Sequence, residues 1–185
     1  MLLQNIKKVL VLAPHTDDGE FGCGGTIVKL VEQGVEVHYI AFSACEQSVL
    51  PQFPSDILIT EVKEATEVLG IKSENLHLLK YDVRTFNFRR QDILDDILVF
   101  RKQINPDLVL IPSLNDIHQD HSTIANEAVR AFKFTNILSY EIPWNNFSFS
   151  NTSFFVLTEE QIKIKVTALE KYKSQKHRSY ANEEF

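Results

Sequence analysis

The chain has 185 residues, 44% of them hydrophobic and 24% charged, ordinary globular usage that excludes disordered, collagen-like and coiled-coil classes. One domain, residues 1–185, is the expectation at this length, with a core that needs neither disulfides nor a structural metal. Lys plus Arg number 19 against 25 Asp plus Glu, a formal charge of −6, and the short basic stretch 171–178 is no stripe, so nucleic acid is excluded as a partner.

Residues 9–13 form an apolar run too short for a signal-peptide core and stopped by Pro14 and His15; it reads as a buried strand. Gly22-Cys23-Gly24-Gly25 is expected to open a helix that runs to Gln33 and is closed by Gly34. Residues 35–41 are rich in β-branched and aromatic side chains and read as a second strand; residues 45–55, with Pro51 and Pro54, read as a loop. Val62, Ala65 and Leu69 mark a helix face stopped by Gly70. Residues 76–79 give a third strand, 90–104 a helix, and 108–111 a fourth strand ending at Pro112. Ile124, Ala125, Ala128, Val129 and Phe132 mark the next helix, 138–142 a β-rich stretch, and Ile162, Val166 and Leu169 a last helix. Strands alternating with helices at this spacing predict an α/β fold, Rossmann-like and three-layered, with a mostly parallel central sheet. Residues 147–155 read as an irregular loop over the site, Trp144, Phe147, Phe149, Phe154 and Phe155 mainly as core with the lining of a sugar or acyl pocket as the alternative, and the polar end from 174 to 185 as irregular or frayed.

Two strand ends carry ionisable clusters, Pro14-His15-Thr16-Asp17-Asp18-Gly19-Glu20 and Asn115-Asp116-Ile117-His118-Gln119-Asp120-His121. Ligands of open α/β sheets bind at the carboxyl ends of strands, so both loops face one crevice. Two histidines and a carboxylate are the donor set of a catalytic zinc site with one open position. His15 and Asp18 can reach one ion from a single turn, and His121 closes the set. Asp17 is then left beside the metal, where a general base belongs. His118 is placed to act in protonated form on an oxyanion or leaving group, with Asp120 holding its ring. The alternatives are a helix cap for the Asp-Asp pair and an ordinary surface pair for His118 and His121.

Other features read first as structure. Gly22-x-Gly24-Gly25 follows its strand too late for a dinucleotide loop, and Cys23 reads as a buried small hydrophobe. His38 and His77 sit in strand-like runs. Arg84, Arg89 and Arg90 read as a solvated helix start, with an anionic substrate group as the alternative. Cys23 and Cys45 form no CxxC and suit a reducing cytosol. No stretch approaches the roughly 18 apolar residues of a membrane helix.

The two clusters resemble the motifs of the LmbE/PIG-L family of zinc-dependent N-deacetylases. The first is the family's (A/P)HPDDxE followed by xGxGGT, here residues 14–26, with Thr16 for the proline. The second is HPDH, here His118-Gln119-Asp120-His121. Tyr140-Glu141 and Lys171-x-x-Ser174-Gln175 are weaker family features. The resemblance implies a Rossmann-like fold, metal ligands His15, Asp18 and His121, a base at Asp17, an oxyanion-assisting His118, and Asp120 orienting it. It implies attack of zinc-bound water on the N-acetyl amide of an N-acetylglucosamine-type conjugate, with zinc or iron(II) as cofactor, since this donor set selects weakly between them. Family members usually continue past the Ser-Gln stretch, so the C-terminal end is expected to be short. A cytoplasmic location, a small sugar conjugate as partner and room for a homo-oligomer complete the expectation. The competing expectation is a non-catalytic metal- or sugar-nucleotide-binding module derived from a deacetylase.

Overall fold

The computed structural model of the chain describes residues 5–148 and 150–180. Val9, Leu10, Val11, Leu12 and Ala13 are fully buried, as an apolar run without alternation must be when both faces of its sheet are covered. They form the middle of β1 (Lys8–His15). Val9, Val11 and Ala13 enter one core and Leu10 and Leu12 the other. β1 pairs in parallel with β2 (Glu36–Ser43) on one side and β4 (Leu108–Pro112) on the other. β3 (Leu76–Leu78) extends the sheet beyond β2, and β5 (Asn136–Tyr140) beyond β4. The result is a parallel five-stranded sheet in the order β3-β2-β1-β4-β5.

Helices cover both faces. α1 (Asp18–Glu32), α2 (Ile57–Val68) and α5 (Glu159–Leu169) share the core that holds Ile27, Val62 and Ala168. α3 (Arg90–Ile104) and α4 (Gln119–Ala131) share the other, through Ile93, Ile97, Ile124 and Ala128. This is the expected three-layer α/β fold. α3 has the expected limits, because Asn105 closes it in the left-handed conformation (φ 50°) that asparagine tolerates. α5 opens on a capping box between Thr158 and Gln161. Among the described residues no helix is long and apolar enough to cross a membrane.

The two helices that follow the ionisable clusters start earlier than their apolar periodicity. α1 begins at Asp18 rather than at Gly22. The glycine-rich stretch is a kink inside it, where Cys23 leaves helical geometry (φ −142°, ψ 18°). The Phe21 carbonyl there accepts from Lys165 Nζ at 2.8 Å. A Cβ at Gly22 would collide with the Tyr140 ring, so glycine lets this turn lie against β5. α4 likewise starts at Gln119, ahead of Ile124. Both ionisable clusters therefore occupy first helical turns as well as the loops before them.

Those turns meet at one place. The chain leaves β1 towards β2 and leaves β4 towards β5, in opposite directions. The crevice between the carboxyl ends of β1 and β4 is the switch point where such folds bind ligands.

Three expectations need correction. Phe147 and Phe154 are 90% and 79% exposed, because they lie in an irregular segment beyond the last strand; Phe149 lies outside the described residues. Residues 150 and 152–155 line a groove beside Gly22, Asn115 and Tyr140 rather than covering His15, Asp17, Asp18, His118 and His121. The end of the chain is held as far as it is described. Ser174 is buried and donates from its backbone N–H and Oγ to the two oxygens of Glu61 on α2, at 2.9 and 2.6 Å. Residues 181–185 lie outside the described residues.

Candidate metal and catalytic site

His15 ends β1, Asp18 begins α1, and His121 lies in the first turn of α4. His15 Nδ1 and His121 Nε2 each stand 3.2 Å from Asp18 Oδ2, and 3.2 Å from one another. Three donor atoms thus mark an equilateral triangle. A tetrahedral site with bonds of about 2.0–2.1 Å separates its donors by about 3.3 Å, so the triangle fits zinc or a similar divalent cation. The His15 backbone N–H donates to Asp18 Oδ2 at 2.8 Å and closes the turn that aims both side chains. A nitrogen of His118 joins those of His15 and His121 within 4.8 Å.

Each ligand imidazole is fixed from behind by a carboxylate. Asp116 Oδ2 is 2.8 Å from His121 Nδ1, and Asp120 Oδ2 is 3.0 Å from His15 Nε2. This carboxylate–histidine arrangement sets the ring and raises its basicity towards a metal. Burial opposes charge on His121, yet Asp18 and Asp116 outweigh it and hold the ring up at about 10. On His15 burial is likewise outweighed, by Asp120 and Asp18. Asp18 is held well below the usual carboxylate range by His121 and His15, against its burial. The pocket is electrostatically built for positive charge.

Asp120 therefore does not hold the His118 ring as expected. Its carboxylate is taken by His15 and by the Arg84 N–H at 2.6 Å. Only its backbone N–H reaches His118, donating to Nδ1 at 3.2 Å as the cap of α4. That bond uses the Nδ1 lone pair and puts the proton of the neutral ring on Nε2. Burial, with His121 and His15 close by, pushes His118 down to about 4. His118 is thus a neutral donor rather than the expected protonated one. Asp116 was not among the expected site residues; its place in the second cluster was the available signal.

Asp17 precedes α1, and its side chain makes no capping bond. Burial first, and then the charge of Asp18, push its carboxyl up to about 6. It lines a cleft of about 350 Å³ together with His15, Asp18, His118 and His121. The far wall comes from Trp144 and, unexpectedly, from Gln175, Arg178 and Tyr180 near the end of the chain. Trp144 and Tyr180 stack at 3.9 Å, 9° from parallel. The six expected site residues are thus brought to one crevice, with Asp120 behind it.

Glu20 braces the first motif. It is fully buried and accepts from Tyr39 and, at 2.7 Å, from Tyr172, and burial pushes its carboxyl up to about 8. Both tyrosine hydroxyls also lie within hydrogen-bond distance of the Thr16 carbonyl. These tyrosines stand too far along the chain for local pattern to reveal them. Cys23 is buried and its thiol is pushed up by burial, as a packed cysteine should be. His38 and His77 stack on each other within β2 and β3, away from the crevice.

Comparison with known proteins bears on the family and the fold. Residues 10–132 match the family described as PIG-L: GlcNAc-PI de-N-acetylase. The chain is 27% identical over 177 residues to the uncharacterized deacetylase YaiS of Escherichia coli, covering 91% of each protein. It is 30% identical over 139 residues to a probable N-acetyl-alpha-D-glucosaminyl L-malate deacetylase 2 of Bacillus cereus; that match takes in 68% of this chain and 60% of the relative. Among solved structures, the N,N'-diacetylchitobiose deacetylase of Pyrococcus horikoshii shares the fold with a TM-score of 0.78 at 24% identity. The similarity covers 93% of this chain and 72% of that one.

Proposed function

This chain belongs to the PIG-L family, and we propose that it is a metal-dependent hydrolase that removes the N-acetyl group from an N-acetylglucosamine-type sugar conjugate. The observation that carries the reading is the triangle of His15, Asp18 and His121 donors at 3.2 Å, each imidazole backed by a carboxylate. The sugar-deacetylase names of its relatives support the substrate class.

His15, Asp18 and His121 would hold the metal, zinc in the first instance. When bound it supplies Lewis-acid polarisation of the acyl carbonyl and lowers the pKa of a water from about 15.7 towards 7. Asp116 and Asp120 keep the two imidazoles in the tautomer and orientation that present Nε2 of His121 and Nδ1 of His15. Asp17 takes the proton of the attacking water as its oxygen bonds to the acyl carbon. His118 donates a hydrogen bond from Nε2 to the acyl oxygen as charge gathers there. Asp17 then passes its proton to the amine nitrogen, the C–N bond breaks, and acetate and the free amino sugar leave.

The test is acetate release from a panel of N-acetylglucosamine conjugates by zinc-reconstituted protein. The reading expects release that EDTA abolishes and zinc restores. Tight sugar-nucleotide binding with no acetate under zinc or iron(II) would overturn it in favour of a non-catalytic module.

A further inference from the structure

A continuous apolar run in extended chain needs cover on both of its faces, and β1 has it. Phe154-Phe155-Val156-Leu157 is a second run of this kind, and one of its faces is bare. Phe155 and Leu157 are half-buried, and Leu157 lies so close on α1 that a Cβ at Gly25 would collide with it. Phe154 and Val156, which alternate with them, are 79% and 81% exposed. The run is tied to the body of the protein, since Lys29 Nζ on α1 donates to the Val156 carbonyl at 2.6 Å.

The bare face continues onto β5, with which Phe154 and Phe155 line a groove of about 480 Å³. β5 pairs with β4, and among the described residues no strand pairs with its other side. Open sheet edges are ordinarily blunted by a charge, a proline or a very short strand. The opposite edge, β3, has three residues. β5 has five, with neither charge nor proline among them. Residues 134–158 hold one charged side chain, Glu141, in 25 residues, where the chain's 24% would place about six.

Charge selects the partner. Two copies of a chain of charge −6 repel one another, so contact between them is favoured where charge is sparse. A strongly basic or acidic partner calls for its complement on this face, and an anionic lipid surface calls for a basic rim. Neither is present: Glu141, Glu159 and Glu160 border the stretch against Lys133. An uncharged open edge is its own complement, because two such strands related by a two-fold axis pair in antiparallel fashion.

We propose that a second copy of this chain covers the face, in a symmetric contact that sets β5 and residues 154–157 of each copy against those of the other. The contact stands whether or not the chain hydrolyses an amide.

The test is sedimentation velocity of the full chain at about 1–100 μM, where a specific contact of ordinary size assembles. The wild type should run as an even number of 21.3 kDa chains, two in the simplest case. Phe154→Glu and Val156→Glu bring like charges into the contact, and each should raise the dissociation constant about a hundredfold and halve the assembly. Both positions are exposed, and circular dichroism checks that the fold is kept. Val99→Glu, at an exposed position of α3, should assemble as the wild type does. Without any substitution, amide exchange over residues 136–140 should slow as concentration rises. A monomeric wild type overturns the proposal, and flotation of that monomer with phosphatidylcholine vesicles would give the face to lipid instead. An odd number of chains, an assembly that survives both variants or is lost equally in Val99→Glu, or exchange that ignores concentration also overturns it.

Discussion

Replacing Asp116 by alanine should weaken metal binding although Asp116 is not a ligand. Its carboxylate accepts from His121 Nδ1 at 2.8 Å and from the His118 backbone N–H at 2.8 Å. His121 is 2% exposed, so water replaces the lost acceptor poorly. An unpaired buried donor costs about 1–3 kcal/mol. Loss of an outer carboxylate typically lowers metal affinity 10–100-fold, about 1.4–2.7 kcal/mol, which agrees. Asp116→Asn keeps an acceptor oxygen and loses only charge, so its effect should fall between wild type and alanine. Competition with a fluorescent zinc chelator measures all three dissociation constants, and circular dichroism checks that the fold is retained. Affinity within threefold of wild type in a folded Asp116→Ala chain would refute the reasoning.

Asp17→Asn should keep its metal and lose roughly 10²–10⁴ in kcat, the usual share of a general base; unchanged turnover removes Asp17 from that role. His118→Ala should lower kcat by about 10²–10³, as removal of one oxyanion donor does, and a change confined to KM would contradict this. Ser174→Ala breaks the bond from Oγ to Glu61 and should cost about 1–3 kcal/mol in urea unfolding; an unchanged midpoint would show that the clamp does not hold. His77 is pushed below its ordinary value by burial and by His38. The folded chain therefore binds fewer protons there than the unfolded chain, and this contribution to stability falls as pH drops through about 6.5. His77→Phe should lose less stability than wild type between pH 7.5 and 5, and parallel curves would contradict the sign.

The strands and α3 were legible because their signals are local. β1 is a continuous apolar run between polar stops, and α3 ends at Asn105-Pro106. The starts of α1 and α4 were not, because Asp18, Asp120 and His121 occupy first-turn positions where apolar periodicity would otherwise show. The site's members were legible for a related reason: all six expected residues are ionisable groups crowded at two strand ends, and the fold leaves each of them buried or half-buried. Which carboxylate backs which imidazole was not legible. Asp120 meets His15 across 105 residues, a contact made only once β1 and β4 lie side by side. The wall built by Gln175, Arg178 and Tyr180 is hidden for the same reason, since the Glu61–Ser174 clamp that places it spans 113 residues.

The central claim is that this crevice is a metal site, and metal content tests it most directly. The chain should be purified without added metal or chelator, alongside His121→Ala, and analysed by elemental mass spectrometry. A metal-dependent hydrolase built on His15, Asp18 and His121 predicts about one zinc or iron per chain, lost in the variant. Wild-type protein that holds no metal, even after zinc is added and the excess removed, would contradict it.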